Sequence, residues 1–261
     1  MKKYLRALIV LVGLSIWSEA ALPQEGLPVQ IGADVMSRYI WRGINLGGSS
    51  PSIQPWIKYT ISTKGSAHAL TIGAWGAYTF SNTSNQEVDL SLIYTYQKII
   101  SLSVTDYFFP EMYAGTGRNR YFNYSQDSTC HVFEGTVSFN GTEKIPVTVL
   151  FSMNLYGNDA RKINSDGSLG KIFMTKYMEL GYKKNVSGVD LNAFVGATLD
   201  KPDQHRGETG FYGNQTSGII NLGVKAAKAI PITATYSIPV QFSLITNPEA
   251  ERIFLVFGFS F

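Results

Sequence analysis

Hydrophobic side chains occur at every second position along most of this 261-residue chain. The clearest segment is 87–96, whose apolar positions are Val88, Leu90, Leu92, Tyr94 and Tyr96. Polar residues stand between them, namely Glu87, Asp89, Ser91 and Thr95. Because successive side chains of a β-strand point to opposite faces, a period of two predicts strands with one apolar and one polar face.

The same period predicts 12 strands in all. They cover residues 29–42, 53–61, 70–80, 88–96, 100–108, 133–139, 147–155, 178–182, 189–199, 220–226, 232–244 and 253–261. Beyond residue 21 no segment has the roughly 20 apolar residues that a membrane-spanning helix needs. In lipid, strands satisfy their backbone groups only as a closed barrel. We therefore predict an all-β fold, a single closed antiparallel transmembrane β-barrel of about 12 strands.

The predicted connections alternate between short and long. The longest are 110–129 and 201–216, followed by 158–171. If the first strand runs outward, all three lie on the outer side, where bacterial barrels carry their longer loops. Loop length is independent of side-chain periodicity, so this alternation of short and long connections supports the strand count.

The first residues predict export. A basic start, an apolar core at 7–16 and the small residues Ser18 and Ala20 are typical of a signal peptide. We expect residues 1–20 to be the signal peptide and 21–261 to be the barrel, located in the cell outer membrane. A retained N-terminal anchor is the alternative.

Composition excludes few partners but is consistent with a lipid-facing surface. Charged residues make up 16% of the chain, against about 25% in soluble domains. The net charge is +3; the predicted signal peptide holds three basic residues and one acidic residue, so the remainder carries +1. Near-neutrality gives no support for a nucleic-acid partner.

If the apolar faces contact lipid, the polar faces enclose the lumen. The predicted lumen-lining residues are Asp34, Arg38, Arg42, Lys58, Glu87, Asp89, Glu134, Glu179, Asp190 and Lys225. Buried charges must be paired or hydrated. These side chains therefore either line a narrow polar channel or form a plug of paired side chains that fills the lumen. Two charges, Asp106 and Lys176, fall on the apolar face and are expected near the outer rim, where they cost less, unless a bulge shifts the alternation.

Aromatic residues occur where strands would meet the lipid boundaries. The predicted girdle comprises Tyr39, Trp41, Tyr78, Phe80, Phe259 and Phe261. As core aromatics of a soluble sandwich they would fit equally well. Phe257, Phe259 and Phe261 also resemble the signal by which outer-membrane barrels reach their insertion machinery. Membrane lipid and that machinery are thus the expected partners.

No catalytic or metal-binding pattern stands out. His68 and His131 fall on apolar faces and His205 lies in a long loop, so none is placed beside a partner in a cleft. We expect no enzyme activity, metal or cofactor.

Residues 37–43 read Ser-Arg-Tyr-Ile-Trp-Arg-Gly. This segment resembles the first strand of the TorF-type porins, which carries the pattern S-x-Y-x-x-R-G. Residues 107–110, 177–182 and 257–261 fit the same family. The resemblance implies an outer-membrane barrel without catalytic residues, and it names no solute.

Several functions remain open. The first is a small porin-like channel for passive diffusion of polar solutes. The second is a closed barrel with a structural, adhesive or recognition role in its loops. A soluble barrel that binds an apolar ligand inside and an outer-membrane hydrolase are further alternatives.

Overall fold

The computed structural model describes residues 28–62, 65–81, 86–110 and 119–261. The predicted signal peptide lies outside them. The described strands are β1 (Val29–Met36), β2 (Ile40–Trp41), β3 (Ile44–Asn45), β4 (Ser52–Ile61), β5 (His68–Thr79), β6 (Glu87–Tyr96), β7 (Ile100–Phe108), β8 (His131–Phe139), β9 (Val147–Gly157), β10 (Arg161–Ile163), β11 (Leu169–Ile172), β12 (Lys176–Val186), β13 (Val189–Thr198), β14 (Gly218–Pro231), β15 (Ser237–Asn247) and β16 (Arg252–Ser260). A short 3-10 helix covers Gln204–Arg206. Within the described ranges, no helix has the length and apolar character needed to cross a membrane.

Twelve of these strands close into an antiparallel barrel, while β2–β3 and β10–β11 form two separate hairpins. The barrel closes where β1 pairs with β16, with Asp34 opposite Ser260 and Met36 opposite Gly258. Closure gives the first and last strands a hydrogen-bonding partner, which a lipid-exposed sheet requires. The predicted closed barrel of 12 strands is therefore confirmed.

The barrel wall is apolar outside and polar inside. On β6 the buried side chains include Glu87 and Asp89, whereas Leu90 and Leu92 are exposed. Every barrel strand exposes at least one large apolar side chain, for example Ile31, Ile57, Ile72, Leu90, Leu102, Val137, Phe151, Leu180, Leu191, Leu222, Phe242 and Leu255. A soluble barrel would have the opposite polarity, so this barrel spans a membrane.

The two charges that fall on the apolar face are both paired near the outer ends of their strands. Asp106 Oδ1 lies 2.8 Å from His131 Nδ1, and His131 Nε2 lies 2.6 Å from the Tyr121 carbonyl oxygen. Lys176 Nζ donates to Asp200 Oδ1 at 2.7 Å. Pairing at the rim lowers the cost of a charge on this face, because desolvation is incomplete there and each charged group has a polar partner.

The first strand is shorter than predicted. The alternation predicts a strand as far as residue 42, but β1 ends at Met36 and residues 37–50 turn into the lumen. Arg42 and Gly43 have φ values of 48° and 76°, in the left-handed region that interrupts a strand. We call residues 37–50 the inner segment; it contains the β2–β3 hairpin.

Candidate functional site

The inner segment packs against the inside of the barrel wall. Tyr39 and Trp41 are each 5% exposed and belong to one buried cluster with Tyr107 and Tyr177 of the wall. Gly43 makes the closest approach, since a Cβ there would lie 1.8 Å from the Ile220 carbonyl oxygen. Any other residue at this position would push the segment away from β14. The segment thus narrows the lumen from within.

One ion pair joins the inner segment to the wall. Arg42 Nη1 and Nη2 donate to Glu134 Oε2 and Oε1 at 2.5 and 2.9 Å, and both side chains are 2% exposed. The Tyr107 hydroxyl also donates to Glu134, at 3.2 Å. A bidentate guanidinium–carboxylate pair with further hydrogen bonds is the geometry in which buried charges are tolerated.

Aromatic rings surround the Arg42 guanidinium. Its carbon lies 4.8 Å from the centroid of the Trp41 ring and 4.4 Å from that of Tyr177. The Tyr212 hydroxyl accepts a hydrogen bond from Arg42 Nη1 at 2.6 Å. These contacts replace the water that the cation loses on burial.

Two other wall carboxylates are satisfied in the same region. The Tyr39 hydroxyl donates to Glu87 Oε2 at 2.6 Å, which gives the inner segment a second polar link to the wall. Glu179 Oε2 accepts from the Tyr177 hydroxyl at 2.5 Å and from Asn221 Nδ2 at 2.9 Å. The wall acids therefore hold the aromatic residues in fixed orientations.

A second chain segment closes over the first. The loop 199–217 brings Phe211 and Tyr212 within 6.2 and 5.7 Å of the Trp41 ring, measured between centroids. Glu208 anchors this loop, because its carboxylate accepts from the backbone N–H groups of Asp203 and Ile163 at 2.8 and 2.9 Å. Partial burial raises the pKa of Glu208, but these bonds and the Lys162 ammonium outweigh it and lower the pKa below its usual value.

Two of the predicted girdle residues are placed differently from the prediction. Tyr39 and Trp41 are buried inside the barrel, so their predicted position at the lipid boundary is wrong. The prediction continued the alternation of β1 past Met36, where the chain actually leaves the wall. The other four predicted girdle residues are exposed, by 42% for Tyr78, 70% for Phe80, 41% for Phe259 and 56% for Phe261.

The remaining predicted lumen residues are distributed along the wall. Asp34 is hydrogen-bonded to Ser260 at the closure, and Asp89 is buried two residues from Glu87 on β6. The Lys58 ammonium lies 5.1 Å from the Trp56 ring centroid. Asp190 accepts from Asn185 Nδ2 at 2.7 Å.

The last two predicted lumen residues lie in different parts of the barrel, one in the inner segment and one in the wall. Arg38 lies in the inner segment and its Nη1 donates to the Gly48 carbonyl oxygen at 2.9 Å. Lys225 pairs in register with Asn192 on one side and Ser243 on the other. The structure thus brings Arg42, Glu87, Asp89, Glu134 and Glu179 into one region and leaves the other predicted residues dispersed.

The sequence interpretation missed the inward aromatic residues. Trp56, Trp75, Tyr107 and Tyr177 are all buried in the cluster around the inner segment. Their positions share the polar parity of their strands, so the alternation itself places them inside. Tyr212 carries no such signal, because it lies in a loop. Within the described ranges, no group of three His, Cys, Asp or Glu side chains could hold a metal ion.

Comparisons with known proteins find neither a matching family model nor a matching curated protein. Among solved structures, the NanC porin matches with a TM-score of 0.44 and 7% identity, covering 88% of this chain and 98% of the other. An outer membrane channel from Pseudomonas putida F1 matches with a TM-score of 0.45 and 12% identity over 95% of this chain and 98% of the other. The beta domain of the Bordetella autotransporter BrkA matches at 0.36 and 11%, over 89% and 98%. Similarity at this level assigns no solute. With its apolar exterior on all 12 strands, the chain is an outer-membrane β-barrel protein.

Proposed function

We propose that this protein is a porin-like outer-membrane channel, of the kind suggested by its resemblance to the TorF-type porins, through which small polar solutes diffuse passively. The inner segment forms its constriction. Solute size would be limited where Trp41 and Tyr212 pack together inside the barrel and narrow the lumen beside them, and selectivity would follow from the lining charges.

The observation that carries the proposal is how the lumen is narrowed. The constriction is built from a connection between two strands, residues 37–50, and is attached to the wall by polar contacts of Tyr39 and Arg42. A wall whose own side chains filled the lumen would have no need of such a segment. The interior of such barrels is polar and is either water-filled or occupied by chain folded inward.

A closed barrel with a recognition role is the second candidate. It is favoured by the packing of Trp41 against Tyr107 and Tyr212, whose ring centroids lie 5.6 and 5.7 Å away. In that case the long loops at 110–129 and 201–216 would carry the function, and the inner segment would be a permanent plug.

Conductance in planar lipid bilayers separates the two candidates. We expect stepwise openings from the wild-type protein and larger openings from a Trp41→Ala/Tyr212→Ala variant. Phe122→Ala is the matched control, because this aromatic residue is 87% exposed outside the barrel and should leave conductance unchanged. If neither the wild type nor the double variant conducts at any voltage, the channel proposal is refuted.

A further inference from the structure

We propose that residues 119–128 lie along the outside of the barrel at the boundary of the outer leaflet and insert Phe122 into its lipid. These residues are the described part of the long connection between β7 and β8, and we call them the outer strap. The proposal concerns how the protein is held in the membrane, so it does not depend on the channel function proposed above.

Two residues on the lipid-facing side of the wall are buried. Phe108 of β7 and His131 of β8 are paired in register. By strand alternation they share the outward face of Val104 and Val137, and both valines are exposed. Phe108 and His131 are nevertheless among the buried residues. Protein therefore covers the outer wall at the level of this pair.

The outer strap provides this cover. The Tyr121 ring centroid lies 5.2 Å from those of both Phe108 and His131. The Tyr124 ring centroid lies 4.5 Å from that of His131 and 6.2 Å from that of Phe133, one step further down β8 on the same face. The strap thus packs on the outside of the wall, whereas the inner segment packs on the inside.

Hydrogen bonds tie the strap to the neighbouring strands. The Tyr156 hydroxyl of β9 donates to the Tyr124 carbonyl oxygen at 2.6 Å. Gln126 Nε2 donates to the Gly157 carbonyl oxygen, also of β9, at 2.8 Å. The His131 ring adds a polar contact from β8. Because an unpaired carbonyl group is costly in lipid, these bonds suit a segment that lies at the lipid boundary.

The height of the strap follows from the length of β7. Below Ile100 the chain turns through Gln97 and Lys98, so the apolar band of the wall begins near Ile100. The eight steps from Ile100 to Phe108 rise about 20 Å along the barrel axis, at about 3.4 Å per residue and a tilt of about 40°. The apolar band of such barrels is about 25 Å tall. Phe108 and the strap that covers it therefore lie at the outer edge of this band.

Phe122 is the residue of the strap that faces away from the barrel. Its ring packs edge-on against Tyr121 at 5.1 Å between centroids, but its side chain is 87% exposed. At the outer edge of the apolar band, lipid is what removes this ring from water. Arg120 is also exposed two positions earlier, and a guanidinium suits the phosphate groups of lipid headgroups.

A nitroxide label measures which phase surrounds position 122. In a Cys130→Ser background, Phe122→Cys is labelled, and the collision rates of the label with oxygen and with a polar nickel chelate are compared in lipid vesicles. Val104→Cys is the control within the lipid-facing wall. Leu169→Cys is the matched control in water, because Leu169 is 70% exposed in the β10–β11 hairpin, which is separate from the barrel.

Oxygen dissolves well in lipid, whereas a polar chelate is excluded from it. We expect the ratio of oxygen to nickel collisions at position 122 to be about tenfold above that at position 169, and to approach the ratio at position 104. A ratio at 122 equal to that at 169 would place Phe122 in water and overturn the proposal. A label at 122 that neither reagent reaches would overturn it as well.

Photocrosslinking identifies the neighbour of position 122 without any cysteine substitution. p-Benzoylphenylalanine in place of Phe122 keeps an aromatic side chain and should yield a lipid adduct by mass spectrometry, as the same group in place of Val104 does. A crosslinked dimer without a lipid adduct would mean that a second copy of the chain covers the strap. That result, or capture of lipid at position 104 and of nothing at 122, contradicts insertion of Phe122 into lipid.

Discussion

The ion pair between Arg42 and Glu134 gives the sharpest test of how the inner segment is held. Replacing Arg42 by methionine keeps much of the side-chain volume but removes the charge. Glu134 then stays behind as a carboxylate that is 2% exposed and has lost both guanidinium bonds. The Tyr107 hydroxyl at 3.2 Å is retained, and it cannot neutralise the charge.

Breaking a buried ion pair by removing one partner costs about 3–5 kcal/mol, because an uncompensated charge remains in a region of low dielectric. Release of the inner segment lets water reach Glu134, so we expect this cost to lower the free energy of local opening. At about 1.4 kcal/mol for each factor of ten, opening becomes about 100 to 4000 times more frequent.

Hydrogen exchange of the inner segment measures this opening. The backbone N–H groups of Leu46 and Gly47 donate to the Tyr39 carbonyl oxygen at 3.0 and 3.2 Å and report on the segment directly. Arg42→Met should accelerate their exchange by the factor above, with peptides from the barrel strands unchanged. Arg42→Met/Glu134→Leu should recover most of the protection, since replacing both charges is often neutral.

Arg38→Met is the matched control. Arg38 lies in the same segment, but it makes one exposed hydrogen bond, to Gly48, and such bonds contribute about 1 kcal/mol or less. Exchange should change less than about tenfold. If Arg42→Met leaves the exchange of Leu46 and Gly47 within threefold of the wild type, the ion pair does not hold the segment.

Two further predictions concern the wall. Phe257→Arg, near the middle of β16, should destabilise the barrel in lipid vesicles by about 2–4 kcal/mol. Ile253→Arg, near the outer end of the same strand, should cost only about 0–1 kcal/mol. Equal costs of the two variants in urea titrations would contradict the lipid-facing assignment. Asp106→Leu removes one of the two hydrogen-bond partners of the buried His131 imidazole. It should lower the free energy of unfolding by about 1–3 kcal/mol. Asp106→Leu/His131→Leu should recover part of that loss in the same titration, whereas additive losses would mean that the pair is not coupled.

The barrel wall could be read from the sequence almost completely. Side-chain alternation in a strand depends only on local backbone geometry, so Leu90 outside and Glu87 inside follow from their spacing. The same alternation assigns Tyr107 and Tyr177 to the lumen. It fails beyond Met36, where the chain leaves the wall and, at Arg42 and Gly43, takes positive φ values.

The interior of the barrel was decided by the tertiary structure. Arg42 and Glu134 are separated by 92 positions, and Tyr212 reaches them from a loop 170 positions beyond Arg42. No periodicity relates such residues, since their distance depends on which strands face each other after closure and on where the chain leaves the wall. The sequence by itself determined which faces are apolar and how many strands form the barrel wall. Only the closed barrel decided that Tyr39 and Trp41 turn inward, because inside it they find a carboxylate and aromatic rings to pack against.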